Sequence, residues 1–210
     1  MDEYNYKLNQ SLTPLIKTIK RPNILEFGVR EGTSTLKFLK ICNKNKGYLY
    51  SVDPVDCSKV SKDPRWKFLK SRDDNFKFVK KNIPKFVDII YLDSVHEADH
   101  VEKIFYNYFP LLKKDGFFII DDISHIPYQK NKTRSNFYCE INNKETFERI
   151  LEIYNTNEKL FDLNFTLVSS GLAIIKKKEN LKLQKSKKIK SRSCGLKNII
   201  RRLWKKIKKD

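Results

Sequence analysis

The sequence predicts an α/β protein on a doubly wound, mostly parallel sheet, closed by a C-terminal antiparallel hairpin and followed by a basic amphipathic tail helix. Three observations carry this prediction. Short apolar runs alternate with segments of helical periodicity, the pattern of a sheet covered on both faces. A turn with two glycines, EFGVREGT at 26–33, joins the first run to the first helix. Acids or glycines stand just after residues 27, 53, 92 and 120, where the apolar runs end.

Leu8, Leu12, Leu15, Ile16 and Ile19 recur at helical spacing and predict an N-terminal helix within residues 1–20 that covers a sheet edge. Pro14 either interrupts this helix or opens its main part. Residues 23–27 (NILEF) form the first strand, and 33–42 a helix with Leu36, Phe38 and Leu39 on its inner side. The second strand is 48–53 (YLYSVD), the third 66–70, and a helix follows at 75–82. The fourth strand is 87–92 (VDIIYL). Residues 97–112 make a helix with Val101, Ile104, Phe105 and Tyr108 along one face, closed by a turn at 113–116. A fifth strand at 117–120 and a helix at 145–154 precede the hairpin, whose strands 161–168 and 172–176 flank Ser169-Ser170-Gly171. In such sheets ligands bind beyond the carboxyl ends of the strands, so the site belongs there.

The 210 residues suit one domain with a sizeable core. No apolar run approaches the roughly 18 residues that span a bilayer, and the acidic start MDEYNYKLNQ does not read as a signal peptide. Cys42, Cys57, Cys139 and Cys194 are scattered without a C-x-x-C pair, as expected of reduced cytoplasmic thiols. The formal charge of +19 is uneven. Residues 176–210 hold 16 basic residues and two acids, leaving residues 1–175 at +5. The expected organisation is therefore a domain at 1–176, a charged flexible linker at 177–194 and a helix at 195–210.

Glycines 28 and 32 permit unusual backbone angles and close ligand approach, and the helix opening at Thr33 presents free N–H groups. Arg30 occupies the central glycine position of G-x-G-x-x-G, so a diphosphate loses its closest approach. Asp53 ends the second strand 21 residues after Gly32, where a carboxylate accepts hydrogen bonds from ribose hydroxyls or, alternatively, closes the turn before Pro54. With Glu26 and Glu31 in the loop, an adenosine ligand without phosphates fits best, and S-adenosylmethionine is such a ligand. Asp93 and His96 follow the fourth strand, and Asp121-Asp122 end the fifth. Three carboxylates converging from adjacent strands repel one another, and a hard cation such as Mg2+ resolves the conflict. Histidine at their rim suits a general base. The plain alternative leaves Asp121 as a cap, Asp122 solvated and His96 on the surface.

ILEFGVREGTST (24–35), YSVDP (50–54) and IIYLDSVHEADHVEKIFYNYFPLLKKDGFFIIDD (89–122) together resemble the class I S-adenosylmethionine-dependent methyltransferases, whose fold is Rossmann-like. The likeness is to metal-dependent O-methyltransferases of sugars and small molecules, including macrolide-sugar enzymes and, more distantly, catechol O-methyltransferase. It covers roughly residues 20–176. The resemblance implies a cofactor site of Glu26, Gly28, Gly32, Thr33, Asp53, Asp73 and Asp93. It implies Mg2+ on Asp93, Asp121 and Asp122, with His96 and Asp93 as catalytic residues. It implies methyl transfer to a hydroxyl of a glycan or other small acceptor.

Residues 123–142 leave the sheet at the same edge and read as a substrate lid, with His125, Tyr128, Arg134 and Tyr138 as candidate contacts, whereas His100 reads as an exposed helix residue. In the tail, Leu196, Ile199, Ile200, Leu203, Trp204 and Ile207 form one apolar stripe among seven basic residues. That pattern suits attachment to an anionic membrane at the inner, cytoplasmic face. RNA binding, less favoured, and docking or dimerisation remain open. An RNA methyltransferase and a non-catalytic binding protein are the competing functions.

Overall fold

A computed structural model describes residues 3–124, 137–189 and 195–207. Its centre is a seven-stranded sheet in the order β3-β2-β1-β4-β5-β7-β6. The strands are β1 (Asn23–Phe27), β2 (Tyr48–Asp53), β3 (Trp66–Lys70), β4 (Val87–Leu92), β5 (Leu112–Asp121), β6 (Phe161–Thr166) and β7 (Leu172–Lys177). The first five are parallel, and β7 pairs antiparallel with both β5 and β6. This is the doubly wound sheet with a closing hairpin that the sequence predicts.

The central strands are apolar on both faces because both are covered. On one face, Leu25, Phe27, Val52, Ile90 and Leu92 pack against α4 (Phe76–Asn82), α5 (Ala98–Tyr108) and α6 (Phe137–Asn157). Phe105 anchors this layer, its ring 4.9, 5.1 and 5.7 Å from those of Phe109, Phe118 and Phe161. The other face, carrying Ile24, Leu49, Ile89, Tyr91 and Ile119, lies under α3 (Thr33–Asn45) and the N-terminal segment. That segment is α1 (Glu3–Lys7), a π-helical turn at Leu8–Leu12 and α2 (Thr13–Ile16), with Pro14 in the first turn of α2. Its buried Leu8, Leu12 and Ile16 cover the sheet face rather than the expected edge.

Other boundaries move for identifiable reasons. The inner face of α3 is Ser34, Thr35, Phe38, Leu39 and Cys42, so Leu36 falls outward, 52% exposed. Helix α5 stops at Tyr108 because Pro110 enforces a 3-10 turn at Phe109–Leu111. Strand β5 already starts at Leu112 and absorbs the expected turn as an irregularity, with Asp115 at φ 65°. Helix α6 begins at Phe137, so part of the expected lid, Tyr138 included, is helical, while His125, Tyr128 and Arg134 lie outside the described residues.

Charge led to the expectation of a flexible linker after β7, yet residues 180–189 run along α5 and α6. Asn157 brackets Gln184, accepting its N–H at 2.7 Å and donating to its carbonyl at 3.0 Å. Tyr106 donates to the same carbonyl at 2.6 Å. These backbone bonds, together with Leu183 packed against the core, fix this segment. The tail helix α7 (Leu196–Ile207) follows, with Leu196, Ile199, Ile200 and Trp204 exposed. No helix among the described residues is long and apolar enough to cross a membrane.

Candidate active site

The β1–α3 turn is built from below by Glu26. Its fully buried carboxylate accepts hydroxyl bonds from Ser34 (2.5 Å) and Thr35 (2.7 Å) of α3 and from Ser51 (2.6 Å) of β2. Burial pushes its pKa up to about 7, against the pull of the three hydroxyls. Gly28, at φ 91°, has no room for a side chain, since a Cβ would stand 1.9 Å from the Asp93 carbonyl oxygen. This close approach brings the ends of β1 and β4 together. Gly32, at φ 83°, opens α3 against Val60, with Thr33 as the first helical residue. Arg30 and Glu31 point into solvent and pair with each other at 3.4 Å.

Asp53 at the end of β2 holds the same turn from the side. Its Oδ2 accepts the N–H groups of Val29 (2.9 Å) and Arg30 (3.3 Å), and its Oδ1 that of Val55 (2.8 Å). Asp73 is buried and accepts from Ser94 and from His100, whose Nε2 lies 2.8 Å away. His100 is thus a largely covered partner of Asp73, not the exposed helix residue expected. Its neighbour Tyr108 fixes the Asp73 carbonyl from α5 at 2.6 Å, which brings α5 under the site.

Between these turns lies a cavity of about 600 Å³, lined by Gly28, Asp53, Asp73, Asp93, Ser94 and Val95 among others. That size and its place beyond the strand ends fit a small-molecule cofactor. Glu26, Gly32 and Thr33 do not line it; they shape the turn that does.

The β4 and β5 ends meet beside the cavity. His96 Nε2 lies 3.6 Å from Asp93 Oδ1 and 3.5 Å from Asp122 Oδ2, with the imidazole 30% exposed. Asp122 is aimed there by a left-handed backbone, φ 58°, which a non-glycine residue adopts at a cost. Asp121 points the other way, into the protein, and its side chain is fully covered. Its Oδ1 accepts from the Lys7 ammonium, the Asp122 N–H (2.7 Å) and Ser170 (3.2 Å), and its Oδ2 from Tyr91 (2.6 Å). Tyr4 donates to Asp93 Oδ2 at 2.7 Å. Burial and the Asp93 charge push the Asp121 carboxyl up to about 6, while Lys7 pulls the other way.

The Mg2+ set implied by the resemblance is therefore not gathered around one open point. Asp93 and Asp122 flank His96, but both Asp121 oxygens are committed. Among the described residues no three His, Cys, Asp or Glu side chains are grouped to hold a metal ion. Lys7, Tyr4, Tyr91 and Ser170 escaped the sequence reading. The one available signal was a lysine and a tyrosine three apart, on one side of an N-terminal helix.

Comparison with known proteins agrees with this geometry. Residues 25–123 match the methyltransferase-domain family. No curated protein matches the sequence. Methyltransferase PaMTH1 of Podospora anserina, solved with S-adenosylhomocysteine, is 13% identical with a TM-score of 0.62, over 84% of this chain and 86% of that one. The MycE methyltransferase of the mycinamycin biosynthetic pathway, solved with Mg and S-adenosylhomocysteine, is 17% identical with a TM-score of 0.56; the match covers 85% of this chain and 48% of MycE. Fibrillarin of Methanococcus jannaschii, a pre-rRNA processing protein, is 18% identical with a TM-score of 0.52, over 77% of this chain and 69% of that one. The match of residues 25–123 to the methyltransferase-domain family and the shared fold make the chain similar to the class I S-adenosylmethionine-dependent methyltransferases.

Proposed function

We propose that this enzyme methylates a hydroxyl oxygen of a small acceptor, a sugar or glycan first among the classes to test. The observation that carries the reading is the placement of His96 between Asp122 and Asp93, the latter of which lines the cavity. When bound, S-adenosylmethionine supplies a sulfonium methyl group. Gly28 admits it close to the backbone, Asp53 and Asp73 line the wall suited to its ribose and adenine, and Asp93 lies between this wall and His96. His96 then takes the acceptor's hydroxyl proton, and the two flanking carboxylates stabilise the imidazolium so formed. Such base catalysis is typically worth about 10²–10⁴-fold. The likeness to MycE, whose structure with Mg and mycinamycin VI is known, supports a small-molecule acceptor. No step runs through Mg2+, because Asp121 is already engaged.

A second reading, RNA methylation, rests on the +14 carried by residues 176–210. Against it, the chain has no N/D-P-P-Y/F motif after β4, and the exposed Leu196, Ile199, Ile200 and Trp204 give the tail an apolar stripe that RNA does not require. The stripe favours peripheral attachment to an anionic membrane.

An assay of S-adenosylhomocysteine release over free sugars, lipid-linked glycans and RNA decides between these readings. Release with a hydroxylated small acceptor or glycan, cut by about 10²-fold or more in His96→Ala, is expected. Release with RNA alone, or full activity of His96→Ala, would contradict the proposal.

A further inference from the structure

Lys7 and Tyr4 lie three residues apart on one side of α1, so both side chains descend onto the sheet together. Lys7 is the more unusual. It is completely buried, in a chain whose other described lysines, Lys177 excepted, reach solvent. Its ammonium donates to Asp121 Oδ1 and to Ser170 Oγ at 2.6 Å, and stands 4.8 Å from the centre of the Tyr4 ring. The Tyr4 hydroxyl reaches Asp93 Oδ2 at 2.7 Å and lies 3.1 Å from the Tyr91 hydroxyl. Tyr91 completes the circuit through its 2.6 Å bond to Asp121. One helix thus supplies a cation to the buried carboxylate and a hydroxyl to the catalytic one.

Converging carboxylates need positive charge, and proteins meet that need with a metal ion or with a paired side chain. Mg2+ demands several oxygens in near-octahedral array. Here the central carboxylate, Asp121, is fully covered and turned inward, with three donors on Oδ1 and the Tyr91 hydroxyl on Oδ2. Its bonds to Lys7, Ser170, Tyr91 and the Asp122 N–H hold it inward, and the last of these also fixes the strained turn that aims Asp122 at His96.

We propose that Lys7 is a positioning residue that takes the place of a divalent metal, making the methyltransferase metal-independent and its N-terminal helix part of the active site. The inference rests on the methyltransferase reading; the Mn2+ titration that tests it needs no acceptor, and the turnover measurements use the acceptor found by the release assay. Mn2+ titrated into the full-length protein, with and without S-adenosylhomocysteine, is followed by loss of the free-ion paramagnetic resonance signal. The wild type is expected to leave the signal unchanged to about millimolar Mn2+, and chelator is expected to leave its turnover unchanged. Lys7→Ala empties the space beside Asp121 and is expected to acquire Mn2+ binding, a gain that a merely structural lysine would not produce. In Lys7→Met, kcat is expected to fall by about 100-fold while KM for S-adenosylmethionine changes little, and Lys7→Arg to recover part of the loss.

Stoichiometric Mn2+ binding by the wild type, or activity lost to chelator and restored by Mg2+, overturns the proposal. Should the Lys7 variants fail to fold by circular dichroism, the wild-type measurements still decide it. Failure of the wild type to bind S-adenosylhomocysteine would count against the methyltransferase reading instead.

Discussion

Glu26 has no exposure to water and three hydroxyl donors around its carboxylate. The hydroxyls do not fully replace lost hydration, so burial raises its pKa from 4.5 to about 7. The sign of the consequence is fixed. Between those values the folded chain binds more protons at this residue than the unfolded chain, so its contribution to stability falls as pH rises through the window. That contribution is intact below 4.5 and gone above about 7. Its size is on the order of 3 kcal/mol. Chemical denaturation of wild type and Glu26→Gln at pH 4.5 and pH 8 should show the variant losing less stability over that interval. Equal losses would mean that Glu26 is not the buried acid described.

At the scale of elements, the N-terminal segment does two things with one face. Leu8, Leu12 and Ile16 bury it on the sheet, and that docking delivers Tyr4 and Lys7 to the strand ends. Leu12→Ala should cost about 2–5 kcal/mol in a denaturant midpoint shift with unchanged slope, as expected of a buried leucine that leaves a cavity. A cost well under 1 kcal/mol would show that the segment is loosely held. The same elements explain what was legible beforehand. Strands β1, β4 and the second half of β5 announce themselves because both sheet faces are covered there, so their residues are mostly apolar, whereas edge strand β3 alternates with exposed lysines and signals weakly. Asp53, Asp93, Asp121 and Asp122 were legible because parallel strands place their ends on one edge, whatever the side chains do next. The direction each side chain takes was not. Asp121 turns inward to a lysine 114 residues away, and Asp93 meets a tyrosine 89 residues away. In a chain with 44 basic residues, a lysine three positions after a tyrosine is too faint a signal to single out. His100 was misread for a related reason: its partner Asp73 lies in a turn whose position no periodicity specifies.

Over the whole molecule, charge separates by role. The domain through residue 175 carries only +5, and its pivotal charges are the carboxylates and the buried ammonium at the strand ends. The tail carries +14 and an exposed apolar stripe. Deleting residues 195–210 should weaken sedimentation with phosphatidylserine-containing vesicles by about 100-fold or more, since each basic residue near such a surface is worth roughly 1 kcal/mol. The loss should shrink at high salt, and S-adenosylhomocysteine affinity should stay unchanged. Equal binding of the tail to RNA, with equal salt dependence, would remove the preference for a membrane.

Titration calorimetry with S-adenosylhomocysteine reads whether the cavity beyond β1, β2 and β4 holds the methyl donor. Wild-type protein should bind one equivalent, and Asp53→Ala, which removes a lining carboxylate and loosens the β1–α3 turn, should weaken binding by about tenfold or more while the protein remains folded. A folded wild type that takes up no S-adenosylhomocysteine, or an Asp53→Ala variant that binds it as tightly as wild type, would contradict the account.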